Sequence, residues 1–264
     1  MKKLYIKNLL ILFSVMLFVS CTLPPKPIEN DARSQVVNTN LVCAKEVNIL
    51  PLSINGMMAP EDAFNYSMNK IKKYTTDNML VHPTVNVTLE PNTIDPFIRN
   101  FGKGRGITEL TQNDTAILLT ALNKLPKDGS SIVLIYTPQL TCPVNPSKKL
   151  RGLAFQYAGD FNVVAYNAIA INNAPVISDN QAWKIVLTHE IGHRLGIPAS
   201  SSHNKSGHCT HHECVLNSGP DWKSVVSVLF NGMPYDFCEV CQAEIAEKKK
   251  MCREMNADII YDDY

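Results

Sequence analysis

The sequence predicts an α/β (α+β) fold: a mixed sheet with backing helices, a metal-binding helix packed against it, and a small cysteine-bearing lobe at the C-terminal end. Three observations predict it. Short apolar runs rich in β-branched residues alternate with helix-length amphipathic segments up to about residue 166. An apolar helical lead-in, Ala182 to Leu187, then runs directly into Thr188-His189-Glu190-Ile191-Gly192-His193-Arg194-Leu195-Gly196. Beyond it, cysteines fall in two close pairs, Cys209 with Cys214 and Cys238 with Cys241.

Taken from the start, Lys2, Lys3 and Lys7 precede an apolar run from Leu9 to Val19 that ends at Ser20-Cys21. A basic start, a short apolar middle and a small residue before the cut read as an export signal over residues 1–20. The run is too short to span a bilayer comfortably as a mature helix. Phe18-Val19-Ser20-Cys21 resembles a bacterial lipobox, with Phe18 in place of the usual leucine. That resemblance implies that Cys21 becomes the lipidated first residue and tethers the chain to a membrane, as an exported lipoprotein on the periplasmic side or cell surface, at the outer membrane. The alternative is an ordinary secretory signal with Cys21 incidental. Pro24, Pro25 and Pro27 and a lack of apolar periodicity make residues 21–42 a flexible stalk. Residues 43–264 are long enough for one well-buried catalytic domain, including a C-terminal lobe over about 208–264.

With 25 basic and 24 acidic residues and no basic stripe interleaved with aromatics, nucleic acid is excluded as a partner class. Lys248-Lys249-Lys250 and Asp262-Asp263 read as solvated surface. Val47 to Leu52 is the first strand, and Pro60-Glu61-Asp62 opens a helix to about Tyr74 with Ala63, Met68 and Ile71 facing a core. Val85, Val87 and Leu89 alternate with polar neighbours as a half-buried strand does. Residues 91–110, punctuated by Pro91, Pro96, Gly102, Gly104 and Gly106, read as irregular. Thr111 with Asp114 forms a capping pair ahead of Ala116 to Leu119 in a helix. Ile132 to Tyr136 is a buried strand, and Gly152 to Tyr157 and Asn162 to Tyr166 form a further strand pair. Such a pair directly before a metal helix offers a wall on which an extended substrate can pair its backbone.

On a helix, His189 and His193 stand one turn apart on the same face, where two metal bonds converge. Glu190, beside His189, is placed to act as general base rather than as ligand. Gly196 ends the helix in the left-handed conformation and turns the chain back, so a third ligand comes from beyond it. The paired cysteines have the short spacing of a structural tetrahedral zinc, with disulfide bonding as the competing account in an exported chain.

At His208-Cys209 the sequence resembles the archaemetzincins, a branch of the metzincin metalloproteases. Their signature is an HExxHxxG helix, a third histidine followed at once by cysteine, a second cysteine with a Met-turn methionine two residues on, and a distal CxxC. His189, Glu190, His193, Gly196, His208, Cys209, Cys214, Cys238 and Cys241 match it, over about residues 150–245. The resemblance implies a metzincin-like fold, a catalytic Zn²⁺ on His189, His193 and His208, and a structural Zn²⁺ on Cys209, Cys214, Cys238 and Cys241. It further implies hydrolysis of a peptide or protein substrate by water bound at the metal and activated by Glu190. The alternative function is a catalytically silent zinc-fold binding or scaffold lipoprotein.

Two departures stand out. Eleven residues, 197–207, separate Gly196 from His208 where the family has two. This polar insert is compatible with a loop extruded at the cleft rim, and it carries His203 as a rival third ligand; His208 is preferred because the Cys209 and Cys214 spacing is attached to it. His211 and His212 read as exposed loop residues. Leu216 occupies the Met-turn position, where it fills similar apolar volume. Of the other cysteines, Cys43, Cys142 and Cys252 leave room for at most one disulfide among themselves.

Overall fold

The structure is a computed structural model that describes residues 41–102, 107–142, 145–157, 161–174, 177–217 and 235–261. The export signal, Cys21, almost all of the stalk, residues 158–160 of the strand connection and Asp262-Asp263 lie outside the described residues. Among the described residues no helix is long and apolar enough to cross a membrane.

The central sheet is built from β1 (Val47–Ile54), β2 (Met79–Val81), β3 (Val85–Val87), β4 (Ser131–Thr137), β7 (Gly152–Tyr157) and β8 (Phe161–Asn167). Its order is β2-β1-β4-β8-β7, with β3 also paired to β1. Strands β1, β4 and β8 run parallel, whereas β7 pairs antiparallel with β8 and forms one edge, so the sheet is mixed as predicted. Every residue of β1, β4 and β8 is buried, which is the signature of parallel strands covered on both faces. The period-two alternation then divides each strand between two cores. Ile132, Leu134 and Tyr136 enter one, and Val133 and Ile135 the other. Two short two-stranded sheets complete the strands, β5 (Thr141–Cys142) with β6 (Asn145–Lys149), and β9 (Asn204–Lys205) with β10 (His208–Cys209).

One face of the sheet carries α1 (Glu61–Tyr74), α4 (Ala168–Asn172), the metal helix α5 (Asp179–Arg194) and α6 (Glu239–Tyr261). The other carries α2 (Pro91–Gly102) and α3 (Gln112–Leu122). Thr111 caps α3 by accepting the Asp114 amide at 3.1 Å, as the capping pair predicts. Helix α2 corrects the reading of residues 91–110 as irregular over 91–102; residues 103–106 lie outside the described residues, and 107–110 are irregular as read. Ile94, Phe97, Ile98 and Phe101 recur at helical spacing and are all buried against the sheet. Burying each such side chain is worth about 1.5–3 kcal/mol. Together they outweigh the roughly 3 kcal/mol that Pro96 costs inside a helix, while Pro91 sits at the first helical position, where no amide is needed.

Cys43 and Cys252 form a disulfide with Cα atoms 5.4 Å apart, joining the start of the domain to α6. Cys142 lies buried in the second core. The C-terminal lobe is also held through Asp236, which accepts hydrogen bonds from Lys70, Lys73 and Tyr74 of α1, while its backbone carbonyl accepts the Val215 amide. Burial pushes the Asp236 carboxyl up, but the bonds from Lys70, Tyr74, the Phe237 amide and Lys73 prevail and hold it below the ordinary aspartate value of 3.8. A depressed carboxyl contributes stability that is complete above its unfolded value and is lost as pH falls through the folded one. Asp236→Asn is therefore expected to melt earlier than wild type at pH 6, with the gap in Tm closing as pH is lowered from about 4 towards 2. An unchanged gap across that range would remove Asp236 as the tie.

Candidate metal centres

Ser178 and Gln181 cap the start of α5 reciprocally, and its buried face from Ala182 through Gly192 is pressed onto the sheet. At the other end the Gly196 amide donates to His193 O and the Ile197 amide to Gly192 O, at 3.2 and 3.4 Å, with Gly196 at φ +71°. This pair of bonds is a Schellman stop, so Gly196 ends the helix as its sequence position predicts. Lys248 of α6 adds its ammonium to the free Leu195 and Gly196 carbonyls, where a cation is favoured. Lys248 thus departs from its reading as solvated surface. Lys250, exposed and facing Glu254, fits that reading.

The insert 197–207 is exposed at residues 199–202 and 205–207, as its polar composition predicts, but it is tied down. Its Ala199 and Ser200 amides donate to the Glu244 carboxylate of α6, and Asn204 donates to Pro198 O. The chain then forms the β9–β10 hairpin, whose two-residue loop has Ser206 at φ +54° and Gly207 at φ +83°. Two successive left-handed residues make the turn type that matches strand twist, which is why glycine stands there. The hairpin swings His208 back towards α5.

One ligating atom each from His189, His193 and His208 lies within 4.8 Å of the others. The Nε2 atoms of His189 and His193 are 3.2 Å apart. Tetrahedral nitrogen ligands about 2.0–2.1 Å from an ion stand about 3.3 Å from one another, so the spacing suits a shared cation. Second partners orient the rings. His189 Nδ1 faces Val215 O at 2.8 Å and His208 Nδ1 faces Ser206 O at 3.1 Å, which leaves each Nε2 a lone pair. His208 Nε2 is buried with no hydrogen-bond partner, a cost that a metal bond removes. Burial, followed by the neighbouring rings, holds His189 down to about 4 and His193 well below its usual value; burial also lowers His208. Three neutral imidazoles result, the form that binds metal.

Glu190 is 9 % exposed, and burial pushes its carboxyl up to about 8, with the Arg194 guanidinium pulling the other way. Its carboxylate lies on the backbone of Gly152 in β7, where an added Cβ would come within 2.5 Å of both Glu190 Cγ and Oε1. Gly192 plays the corresponding part on the other side of α5. A Cβ there would meet Phe237 Cε1 at 2.7 Å and Leu216 Cδ2 at 2.9 Å. Leu216, fully buried, packs against Gly192 of the metal helix, filling apolar volume there as the argument from its size expects.

The thiols of Cys209, Cys214, Cys238 and Cys241 are buried, unbridged and likewise within 4.8 Å of one another. Sγ separations of 3.7 Å for Cys209–Cys238 and 3.8 Å for Cys214–Cys241 match the edge of a tetrahedron whose sulfurs lie about 2.3 Å from its centre. A disulfide needs about 2.05 Å, and all four of these cysteines are free in the fold, so the competing account is not what it holds here. Mutual hydrogen bonding lowers Cys209 and Cys238 and raises Cys214 and Cys241, as expected where adjacent thiols cannot all ionise without a cation. His203 faces Cys241 and Glu244 instead of the histidine cluster. His211 and His212 are half-exposed and join neither group of donors. Tyr235, given no role by its spacing, packs edge-on against Tyr66.

No family model matches the chain, and no curated protein matches it. Among solved structures it is similar to an archaemetzincin from Methanopyrus kandleri, at 17 % identity and a TM-score of 0.43, over 78 % of this chain and 96 % of that one. It is also similar to an archaemetzincin from Archaeoglobus fulgidus complexed with malonate, at 18 % identity and a TM-score of 0.38, over 77 % and 99 % of the two chains. These bear the name of the family that the motif resembles; the chemistry rests on the atoms of the two clusters. Gly152, Gly192 and the Val215 carbonyl contact the candidate site or the side chains beside it, and sequence reasoning did not single them out. Gly192 and Val215 fall at unspecified positions inside the recognisable motif, whereas Gly152 falls in the preceding strand.

Proposed function

We propose that the chain is a zinc-dependent peptidase, with a catalytic zinc on His189, His193 and His208 and a structural zinc on Cys209, Cys214, Cys238 and Cys241. The contrast between the two clusters carries this reading. Four thiols make a closed set, whereas three neutral imidazoles with no fourth protein donor among the described residues make an open one, and an open set is what catalysis requires. A zinc ion held by the three histidines supplies Lewis acidity towards a carbonyl oxygen and acidifies water to a pKa of about 7. Glu190 accepts the proton from the attacking water and delivers it to the leaving amine. The outer edge of β7, which pairs with no further strand among the described residues and whose Gly152 touches Glu190, offers backbone groups on which an extended peptide can pair.

The same reading places the mature chain outside the cytoplasm, tethered at the outer membrane through a lipidated Cys21. The Cys43–Cys252 disulfide supports export into an oxidising compartment. The test is cleavage of a mixed peptide library by the chain from residue 22 onwards, with zinc counted by elemental analysis. Two zinc ions per chain and cleavage abolished by chelation, then restored by zinc, are expected. Full zinc loading with no cleavage of any peptide would favour the silent binding or scaffold protein. Gly152→Ala is expected to keep both metals and cleave about 10²-fold more slowly, because displacing the Glu190 carboxylate by an ångström spoils its alignment. Wild-type turnover by that variant would take Glu190 away from the β7 wall.

A further inference from the structure

Each sulfur of the thiolate cluster has an N–H directed at it. The His211 amide donates to Cys209 and the Cys238 amide to Cys214, both at 3.4 Å, and the Cys241 amide donates to Cys238. For Cys241 the partner is instead a side chain, His203 Nε2 at 3.6 Å. His203 is 2 % exposed and belongs to the insert, the segment in which the chain departs from the motif it resembles. Its ring lies outside the sulfur tetrahedron, since it shares the 4.8 Å neighbourhood of Cys241 but not that of the other three cysteines. Glu244 stands beside the same nitrogen, its carboxylate 3.6 Å from Nε2 and also accepting the Ala199 and Ser200 amides, while Nδ1 on the other side of the ring is buried without a hydrogen-bond partner.

We propose that His203 is a positioning residue for the thiolate centre, donating its Nε2–H to the Cys241 sulfur and clasping the 197–207 insert onto the metal-bearing lobe. The inference rests on the reading of the four cysteines as a zinc centre. Four thiolates around a dication carry a net charge of −2, and N–H donors aimed at the sulfurs disperse it without entering the coordination sphere. Three of the four donors are backbone amides that come with the local turns. The fourth has to be brought from elsewhere, and the insert brings it. Thr210 N donates to His203 O at 2.8 Å, so the segment that holds His203 is bonded directly to the residue after Cys209, and through the hairpin to His208. The length of the insert is explained by this clasp: Glu244 anchors its beginning, His203 its middle, and the β9–β10 turn delivers the third histidine.

Cobalt(II) reports this site separately from the histidine site, because only sulfur ligands produce the near-ultraviolet thiolate-to-cobalt charge-transfer band. The full chain is loaded with cobalt and the decay of that band is followed after addition of EDTA. His203→Phe keeps the ring volume and its packing on His211 but removes the N–H; it is expected to start with the wild-type band and lose it about 10- to 100-fold faster. His203→Gln restores a donor and is expected to decay near the wild-type rate. Glu244→Ala, which releases the insert but leaves every cysteine in place, is expected to accelerate the loss as well. Wild-type decay in His203→Phe would overturn the inference, and a wild-type visible spectrum of three thiolates and one imidazole would replace it with direct ligation. A wild-type chain that shows no thiolate band at all would overturn the zinc centre itself, and the clasp with it.

Discussion

Glu190→Gln is expected to bind two zinc ions per chain and to cleave peptides about 10²- to 10⁴-fold more slowly than wild type, the range that a positioned general base contributes. The substitution is nearly isosteric, so the close contact with Gly152 is kept and the amide occupies the volume of the carboxylate. What disappears is the capacity to take up a proton. Elemental analysis beside single-turnover cleavage separates the two properties. Full loading with the rate lost assigns the proton to Glu190, whereas an unchanged rate would leave the base to another group and sink the mechanism.

His208→Ala is expected to bind one zinc instead of two and to have no measurable cleavage, while His203→Ala binds two at equilibrium. The reason is geometric: both rings carry a buried nitrogen without a hydrogen-bond partner, but His208 lies in one cluster of donors with His189 and His193, whereas His203 lies with Cys241 and Glu244. A site left with two imidazoles loses one of the three protein ligands that catalytic zinc normally keeps. Circular dichroism matching wild type would show that the hairpin survives, since Ser206 and Gly207 set its turn independently of the ring that follows. Retention of two zincs in His208→Ala, with one lost in His203→Ala, would reverse the assignment.

Most strands and the metal helix were legible because their signals are local. Val85 and Val87 stand in β3 with the alternation a half-buried strand requires, whereas Leu89, also buried, lies beyond the strand's end. Helix α2 was not legible, since Pro91, Pro96 and the nearby glycines obscured an apolar stripe that becomes decisive only once a sheet face is present to cover it. Lys248 was misread for a similar reason. A lysine in a basic run looks solvated until another helix ends beside it.

By itself the sequence pointed to most of the candidate donors. His189, Glu190 and His193 are tied by helical spacing, and the cysteine pairs by short chelating loops, so their chemistry follows from covalent proximity. Only the tertiary structure brought His208, and not His203, beside His189 and His193, joined Cys43 to Cys252, and set Gly152 against the Glu190 side chain. Those choices depend on which surfaces meet across an eleven-residue insert or the whole length of the domain. Long-range approach of that kind leaves no period in a sequence, because it is settled by packing and by the burial of polar atoms that must find partners.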